Sequence, residues 1–165
     1  MPRVVPAPAA RVENRAQDKK VPRCTTVILG AGGDLMKRKL LPAIYSLAEQ
    51  RLLPDSFALV GLGRDQMDEE AFRTSMREAL GTSDEIKSVD EEAWSWLASR
   101  TRYAYGDLGA RDAYDAVKRC LDEIEAPIPG EDRNRVFYLA IPPSIFETTV
   151  EHLSSSGLAP GFERK

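Results

Sequence analysis

Short apolar runs alternate along the chain with longer stretches in which apolar residues recur every three or four positions. Four runs are rich in β-branched, aliphatic or aromatic residues and end at glycine, proline or polar residues, which is typical of buried strands. They cover residues 25–29, 57–63, 103–106 and 136–141. The stretches between them have helical periodicity. The pattern therefore predicts strands and helices in alternation.

The helical stretches have recognisable start and stop signals. Asp34 is placed to cap the first helix, and Pro42 within it is expected to introduce a kink. Ser83 is placed to cap a third helix. The apolar stripe of that helix comprises Ile86, Val89, Ala93, Trp96 and Leu97. The last two helices are predicted over residues 110–124 and 144–153.

The connections between strands determine the expected fold class. Strands joined through helices of ten or more residues require right-handed crossovers, so the strands run parallel. We therefore expect an α/β fold of the Rossmann type, a doubly wound parallel sheet with strand order 3-2-1-4. A complete sheet of this class has six strands, whereas about four are predicted here. The sheet is thus expected to be incomplete, with the fourth strand as an unpaired edge.

The domain organisation follows from a change in composition near residue 24. Residues 1–23 contain four prolines and lack a hydrophobic period, so they are expected to form a mobile N-terminal tail. Residues 24–165 are expected to form one folded domain. The longest apolar stretch, residues 27–31, is far shorter than the roughly 20 residues that cross a bilayer. No membrane partner is therefore expected.

Charge and cysteine content exclude several classes of partner. The formal net charge is −3, and residues 1–23 hold six basic against two acidic residues, so the folded part is acidic and unsuited to nucleic acid. Cys24 and Cys120 are far apart, and His152 is the single histidine, so no metal site or disulfide framework is expected. Two isolated cysteines suit a reducing compartment, and we expect a cytoplasmic location.

The strongest chemical signal is the glycine-rich segment 30–33 between the first strand and the first helix. Glycines let a backbone approach a diphosphate closely, and the N-terminus of the following helix offers N–H donors to it. The spacing departs from G-x-G-x-x-G because Leu35 occupies the third glycine position. Spacing alone therefore leaves two alternatives open, a dinucleotide site and a purely structural glycine turn.

The end of the second strand favours the dinucleotide alternative. NAD sites of this fold place an acidic residue there to bind the ribose hydroxyls, whereas here Arg64 follows Gly63 and precedes Asp65. A guanidinium group suits a 2′-phosphate. Considered alone, Arg64 is equally compatible with a solvated loop charge. Beside the glycine turn it indicates NADP as the cofactor.

Residues 30–45, with the sequence GAGGDLMKRKLLPAIY, closely resemble the nucleotide-binding start of glucose-6-phosphate dehydrogenases, GxxGDLxxRKLLPALY. Three further segments match the family in the same order, at residues 52–54, 60–64 and 136–144. The resemblance implies oxidation of glucose 6-phosphate at C1 to 6-phospho-D-glucono-1,5-lactone, with hydride transfer to NADP. This is the entry step of the pentose phosphate pathway.

The resemblance also implies the roles of individual residues. The turn and first helical residues would hold the cofactor diphosphate, Arg64 the 2′-phosphate and the residues after the third strand the adenosine side, while Tyr138 would flank the cofactor. Lys37 would lie close to both the cofactor and the sugar phosphate, although its position also fits an ordinary helix-surface charge. The cofactor-binding candidates are Gly30, Ala31, Gly32, Gly33, Asp34, Leu35, Met36, Lys37, Arg64, Gly106, Asp107 and Tyr138, and Lys37 is also the substrate-binding candidate.

Two family signatures have no counterpart in this sequence. They are EKPFG and RIDHYLGKE, and the second supplies the family's general-base histidine and substrate lysine. His152 lies beside an apolar stripe of the last predicted helix and is expected to be structural. No catalytic residue is therefore assigned, and the family's α+β substrate and dimerisation domain is expected to be absent from this sequence. A homo-oligomer is expected only where that domain is present.

Two alternatives to this interpretation stay open. The chain could be a freestanding, non-catalytic nucleotide-binding module that retains the cofactor site. It could also belong to a different NADP-linked reductase on the same fold, because fold alone does not fix the reaction. A reductase of that kind would be recognised by a catalytic Tyr-x-x-x-Lys helix.

Overall fold

The computed structural model describes residues 22–159, so the predicted tail of residues 1–23 lies almost wholly outside the described part. Strands and helices alternate within it as the hydrophobic pattern predicts. The strands are β1 Thr25–Leu29, β2 Ala58–Gly63, β3 Thr101–Tyr105 and β4 Arg135–Leu139. The α-helices are α1 Leu41–Glu49, α2 Glu69–Gly81, α3 Glu91–Ser99, α4 Arg111–Glu125 and α5 Phe146–Ser155. Short 3-10 turns occupy Gly130–Asp132 and Pro143–Ile145.

The four strands form one parallel sheet in the order β3-β2-β1-β4. This confirms the expected α/β, Rossmann-type sheet with order 3-2-1-4. The boundaries of β3 and β4 differ from the prediction by one or two residues. Because the chain moves outward from β1 to β2 and β3 and then returns to the other side of β1, the connection reverses between β1 and β4. Ligands of doubly wound sheets bind at such a switch point.

Helices cover both faces of the sheet, and alternate residues of β1 face opposite layers. Val27 and Leu29 pack with α4 and α5, whereas Ile28 packs with α1, α2 and α3. All three side chains are at most 1% exposed. Burial of one such side chain contributes about 1.5–3 kcal/mol, so the two layers hold the central strands in place. At the outer edge no strand among residues 22–159 pairs with β4, where Val136 and Tyr138 are exposed.

The first helix begins differently from the prediction. Asp34 lies within the first helical turn instead of capping it, and its carboxylate accepts a hydrogen bond from Arg38 at 3.4 Å. Residues Met36–Leu40 form a widened π turn, in which the Leu41 N–H donates to the Met36 carbonyl. Pro42 has no N–H to continue the α-helical ladder, so the predicted kink takes the form of this wider turn.

The third helix also begins later than predicted. Ser83 does not cap it, and its hydroxyl accepts a hydrogen bond from the Glu85 N–H within a turn. The helix starts after Asp90, whose carboxylate accepts from the Ala93 N–H at 2.8 Å. The Tyr45 hydroxyl accepts from the Asp90 N–H at 2.7 Å and fixes this start. The Asp90 cap is therefore supported by a tertiary contact that the Ser83 position lacks.

A buried ion pair ties the end of α4 to the start of β4. The Glu125 carboxylate is 1% exposed and accepts hydrogen bonds from Arg135, including one from Nε to Oε1 of 3.0 Å. These hydrogen bonds raise the pKa of Arg135. Arg135 also donates from Nη1 to the Leu158 carbonyl, beyond α5. The pair thus joins α4, β4 and the segment that follows α5.

The turn after β1 passes very close to the end of β4. Gly30 has a φ of +94°, a backbone conformation that side-chain-bearing residues rarely adopt. A Cβ atom at Gly30 would lie 2.4 Å from the Ala140 carbonyl oxygen. Both the conformation and the space therefore require glycine at this position.

Substitution of Gly30 is expected to destabilise the protein more than substitution of a glycine with an unusual φ alone. Gly157→Ala, at a φ of +74° with no atom within 4 Å of the added Cβ, should cost about 1 kcal/mol of unfolding free energy. Gly30→Ala should cost about 3 kcal/mol or more, because a steric clash is added. Gly130→Ala, in open space, is the control. Urea unfolding measures all three, and equal losses for Gly30→Ala and Gly157→Ala would contradict the close approach.

Loss of Arg135 is expected to be costly because it leaves the Glu125 carboxylate buried without its main partner. Arg135→Met should lower the unfolding free energy by about 3 kcal/mol. The matched control is Arg51→Met, which removes an ion pair with Glu92 whose two side chains are 83% and 84% exposed. That variant should lose less than about 1 kcal/mol. Similar losses in the two variants, measured by urea denaturation, would show that burial of the Glu125–Arg135 pair does not increase the cost of breaking it.

Candidate functional site

The carboxyl ends of the strands border one groove of about 690 Å³ at the switch point. Its lining comes from the loop after each strand, together with two residues near the start of α5. The loop residues lie within 30–33, 63–65, 107–109 and 140–142, and the remaining two are Ile145, which precedes α5, and Thr148 of α5. Every strand therefore contributes to the same groove, as expected for the ligand site of a doubly wound sheet.

The glycine turn forms the floor of this groove and is free of bulky side chains. A Cβ atom at Gly32 would lie 2.6 Å from Oδ2 of Asp65, and one at Gly33 would lie 3.2 Å from the Gly30 carbonyl oxygen. The Gly30 and Ala31 N–H groups both donate to the Leu62 carbonyl at 2.9 Å, which fixes the turn to β2. The following helix starts at once, so the N–H groups of its first turn are near the groove without helical acceptors. Bare backbone and free donors suit an anion.

The loop after β2 brings two charged side chains to the edge of the groove. The Arg64 side chain is exposed and has no hydrogen bond or ion pair with the described residues. The Asp65 carboxylate lies against Gly32 of the glycine turn. On the other side of this loop, the Tyr103 hydroxyl donates to the Asp65 carbonyl at 2.8 Å. The loop is thus held by its backbone while the Arg64 guanidinium remains available.

The loop after β3 contributes Asp107 to the groove but not Gly106. Asp107 Oδ1 accepts a hydrogen bond from the Gly109 N–H at 2.7 Å, which closes a tight turn. A Cβ atom at Gly106 would lie 2.4 Å from the Cβ of Ala113, so glycine is needed there for α4 to pack against β3. The Gly106 N–H donates to the Gly63 carbonyl at 2.9 Å. Gly106 therefore supports the position of Asp107 from beneath the groove.

The predicted site residues divide into two groups in the structure. The groove is lined by five of them, Gly30, Gly32, Gly33, Arg64 and Asp107. Asp34 and Lys37 instead line a neighbouring polar groove of about 560 Å³ beside the end of α2. Ala31 and Met36 are buried in the core, Leu35 is exposed, and Tyr138 lies within β4 opposite Ile28. For this second group a direct cofactor contact stays a prediction.

The structure adds groove residues that are not among the site candidates predicted from the sequence. Ala140, Ile141 and Pro142 follow β4 and form the wall opposite Arg64, and Leu108 and Gly109 follow β3. The first three lie within the family-like segment 136–144, and the other two lie just after the third predicted strand, but neither position is assigned a role in binding from the sequence alone. The part played by Tyr103 has no local signal, because its hydrogen bond joins residues 38 positions apart.

Two residues with catalytic potential in the sequence are committed to structural contacts. A Tyr-x-x-x-Lys spacing occurs at Tyr114 and Lys118, but Tyr114 is fully buried and its hydroxyl donates to the Leu108 carbonyl at 2.8 Å. The His152 ring packs against the Tyr114 ring with centroids 5.0 Å apart. Neither Tyr114 nor His152 lines the groove. The spacing therefore does not provide the catalytic tyrosine of a reductase.

The helices and the side chains of residues 22–159 also bear on membrane and metal binding. None of the helices in that range has the length and apolar character that a bilayer crossing requires. The same residues contain no group of three or more His, Cys, Asp or Glu side chains arranged to hold a metal ion. Cys24 and Cys120 are both half-buried free thiols.

Comparison with known proteins places the fold and groove in a family. The model of the family described as "Glucose-6-phosphate dehydrogenase, NAD binding domain" matches residues 27–164. Among curated relatives, a glucose-6-phosphate 1-dehydrogenase of Chlamydia muridarum is 33% identical over 133 residues, covering 81% of this chain and 26% of the relative. Glucose-6-phosphate 1-dehydrogenase 2 of Mycobacterium bovis is 35% identical over 147 residues, covering 87% of this chain and 28% of the relative.

Solved structures give the same result. A glucose-6-phosphate dehydrogenase in complex with its substrate glucose 6-phosphate superimposes with a TM-score of 0.72 at 27% identity, over 82% of this chain and 28% of that one. The enzyme from Mycobacterium avium gives a TM-score of 0.71 at 25% identity, over 84% of this chain and 28% of that one. The chain thus spans about a quarter of the length of the proteins it matches. It belongs to the glucose-6-phosphate dehydrogenase family, in which it corresponds to the NAD-binding domain.

Proposed function

We propose that this chain binds NADP in the groove at the switch point, as the cofactor domain of a glucose-6-phosphate dehydrogenase. In the proposed reaction, glucose 6-phosphate is oxidised to 6-phospho-D-glucono-1,5-lactone with hydride transfer to NADP. One observation carries the proposal, namely that a glycine-rich turn without bulky side chains borders the same groove as Arg64, which has no partner among the described residues. The turn suits the diphosphate and the arginine suits the 2′-phosphate.

The glycine turn supports the diphosphate part of this proposal. Gly32 and Gly33 have no side chains, so the backbone of the turn is open for close approach by a ligand in the groove. The first helical turn adds N–H donors and the positive end of the helix dipole, which together favour phosphate oxygens. These features fit a dinucleotide of either kind.

The preference for NADP is supported by Arg64. An exposed guanidinium with no partner among the described residues can form paired hydrogen bonds to a phosphate without first breaking an ion pair. Asp65 lies beside it against Gly32, where its carboxylate can accept a hydrogen bond from a ribose hydroxyl. The 2′-phosphate of NADP would therefore meet the opposite charge of Arg64, whereas the ribose hydroxyls of NAD would find a hydrogen-bond partner only in Asp65.

On the substrate side, we propose that Lys37 contacts the phosphate of glucose 6-phosphate. Lys37 is exposed and lines the polar groove next to the cofactor groove, so its ammonium can neutralise phosphate charge. The nicotinamide ring of NADP would supply the hydride acceptor, while Gly30–Gly33 and Arg64 hold and orient the cofactor. Removal of the sugar hydroxyl proton requires a base, and we assign none among residues 22–159 because His152 packs against Tyr114.

We propose a cytoplasmic location for this protein. The two half-buried free thiols, Cys24 and Cys120, support a reducing compartment. Homo-oligomer formation is proposed only for a chain that includes the family's further domain. A freestanding binding module would use the same groove and the same residues, and it would differ in lacking turnover.

Replacement of Arg64 is expected to remove the preference for NADP. In the 165-residue chain, Arg64→Ala should weaken NADP binding about 10- to 100-fold, because a hydrogen-bonded charge pair contributes about 1.5–3 kcal/mol. NAD binding should change little, because NAD lacks the 2′-phosphate. Isothermal titration calorimetry with each cofactor gives both dissociation constants.

The matched control is Arg51→Ala, an exposed arginine outside the groove, which should leave both constants unchanged. Equal affinity of the unaltered chain for the two cofactors would contradict the NADP assignment. A loss of both affinities in Arg64→Ala would contradict the role given to its guanidinium.

A further inference from the structure

The Tyr103 side chain crosses beneath β2 and reaches the loop that borders the groove. Tyr103 lies in β3, opposite Gly61 of β2, and is 7% exposed. Its ring stacks on the Phe72 ring, with centroids 4.5 Å apart and an angle of 25° between the planes. The stacked pair fixes the direction of the Tyr103 hydroxyl.

Two glycines of β2 make space for this aromatic pair. A Cβ atom at Gly63 would lie 2.7 Å from the Tyr103 hydroxyl oxygen, and one at Gly61 would lie 2.9 Å from Cζ of Phe72. Real Cβ atoms do not approach other atoms so closely, so both positions must lack a side chain. The Tyr103 side chain can therefore take this path only because β2 has glycine at positions 61 and 63.

The hydroxyl at the end of this path holds the backbone on one side of Arg64. It donates to the Asp65 carbonyl at 2.8 Å, and on the other side the Gly63 carbonyl accepts from the Gly106 N–H at 2.9 Å. The backbone carbonyl groups of the residues before and after Arg64 are thus both held by hydrogen bonds. The Asp65 side chain projects from the same segment onto Gly32.

We propose that Tyr103 is a positioning residue for recognition of the 2′ position of the adenosine ribose. By anchoring the Asp65 backbone, its hydroxyl holds Arg64 where the guanidinium meets a 2′-phosphate, so NADP is bound in preference to NAD. This inference rests on the proposed function, because it assigns a role in selectivity within the same groove.

Two physical arguments support this role. An arginine side chain loses rotamer freedom on binding, and a fixed backbone reduces the further ordering that a ligand has to impose. Burial raises the pKa of Tyr103 to about 12, so the phenol keeps its proton and donates throughout the pH range in which dinucleotides are bound. The hydroxyl can accordingly donate to the Asp65 carbonyl under those conditions.

The test is Tyr103→Phe, which removes the hydroxyl and keeps the ring stacked on Phe72. NADP binding to the 165-residue chain should weaken about 3- to 10-fold, the effect of one lost hydrogen bond, whereas NAD binding should change less than about twofold. The matched control is Tyr45→Phe. It removes another buried tyrosine hydroxyl, which accepts from the Asp90 N–H away from the groove, and it should leave the ratio of the two affinities unchanged.

A second variant separates positioning from a general structural effect. In an Arg64→Ala background, Tyr103→Phe should change NADP affinity less than about twofold, because the group it positions is gone. If Tyr103→Phe weakens NADP and NAD alike, or leaves the preference of the unaltered chain intact, the inference is overturned and the proposed function stands. If the unaltered chain binds neither cofactor, both are overturned.

Discussion

The turn after β1 has to pass between the end of β4 and the loop after β2, and the rest of the site depends on this crowding. At Gly30 the Ala140 backbone carbonyl leaves no room for a Cβ atom, and a Cβ atom at Gly32 would displace the Asp65 carboxylate. The ends of β2 and β4, the two strands that flank β1, are therefore brought to the same short piece of backbone. The groove lies above this piece of backbone, where the glycines add no side-chain volume.

The crowding also links the loop after β2 to the core. This loop is fixed from below by Tyr103 and from the side by the glycine turn, and the Arg64 side chain has no hydrogen bond or ion pair among the described residues. A polar loop at the edge of a sheet would ordinarily be held weakly. Here the stacked Phe72–Tyr103 pair holds the backbone that carries an exposed cation, so core packing and the proposed selectivity depend on the same residues.

Sequence patterns could predict the features that depend on local spacing. The alternation of apolar runs with helical stretches was sufficient for the strand order, and the glycines after β1 together with Arg64 indicated part of the groove lining. Features decided by contacts between distant residues could not be predicted. The start of α3 depends on the hydrogen bond from the Asp90 N–H to the Tyr45 hydroxyl. The role of Tyr103 depends on a hydrogen bond across two strands.

The central claim is that a dinucleotide occupies the groove at the switch point, and its most direct test is the location of NADP on the protein in solution. Amide chemical shifts of the isotope-labelled 165-residue chain would be followed during titration with NADP. The account predicts the largest changes at Gly32, Gly33 and Asp65, and none at Gly130, which lies before the amino end of β4 and outside the groove. Changes centred on Trp96, which lies in α3 and outside the groove, would contradict it. An absence of changes at the glycine turn would also contradict it.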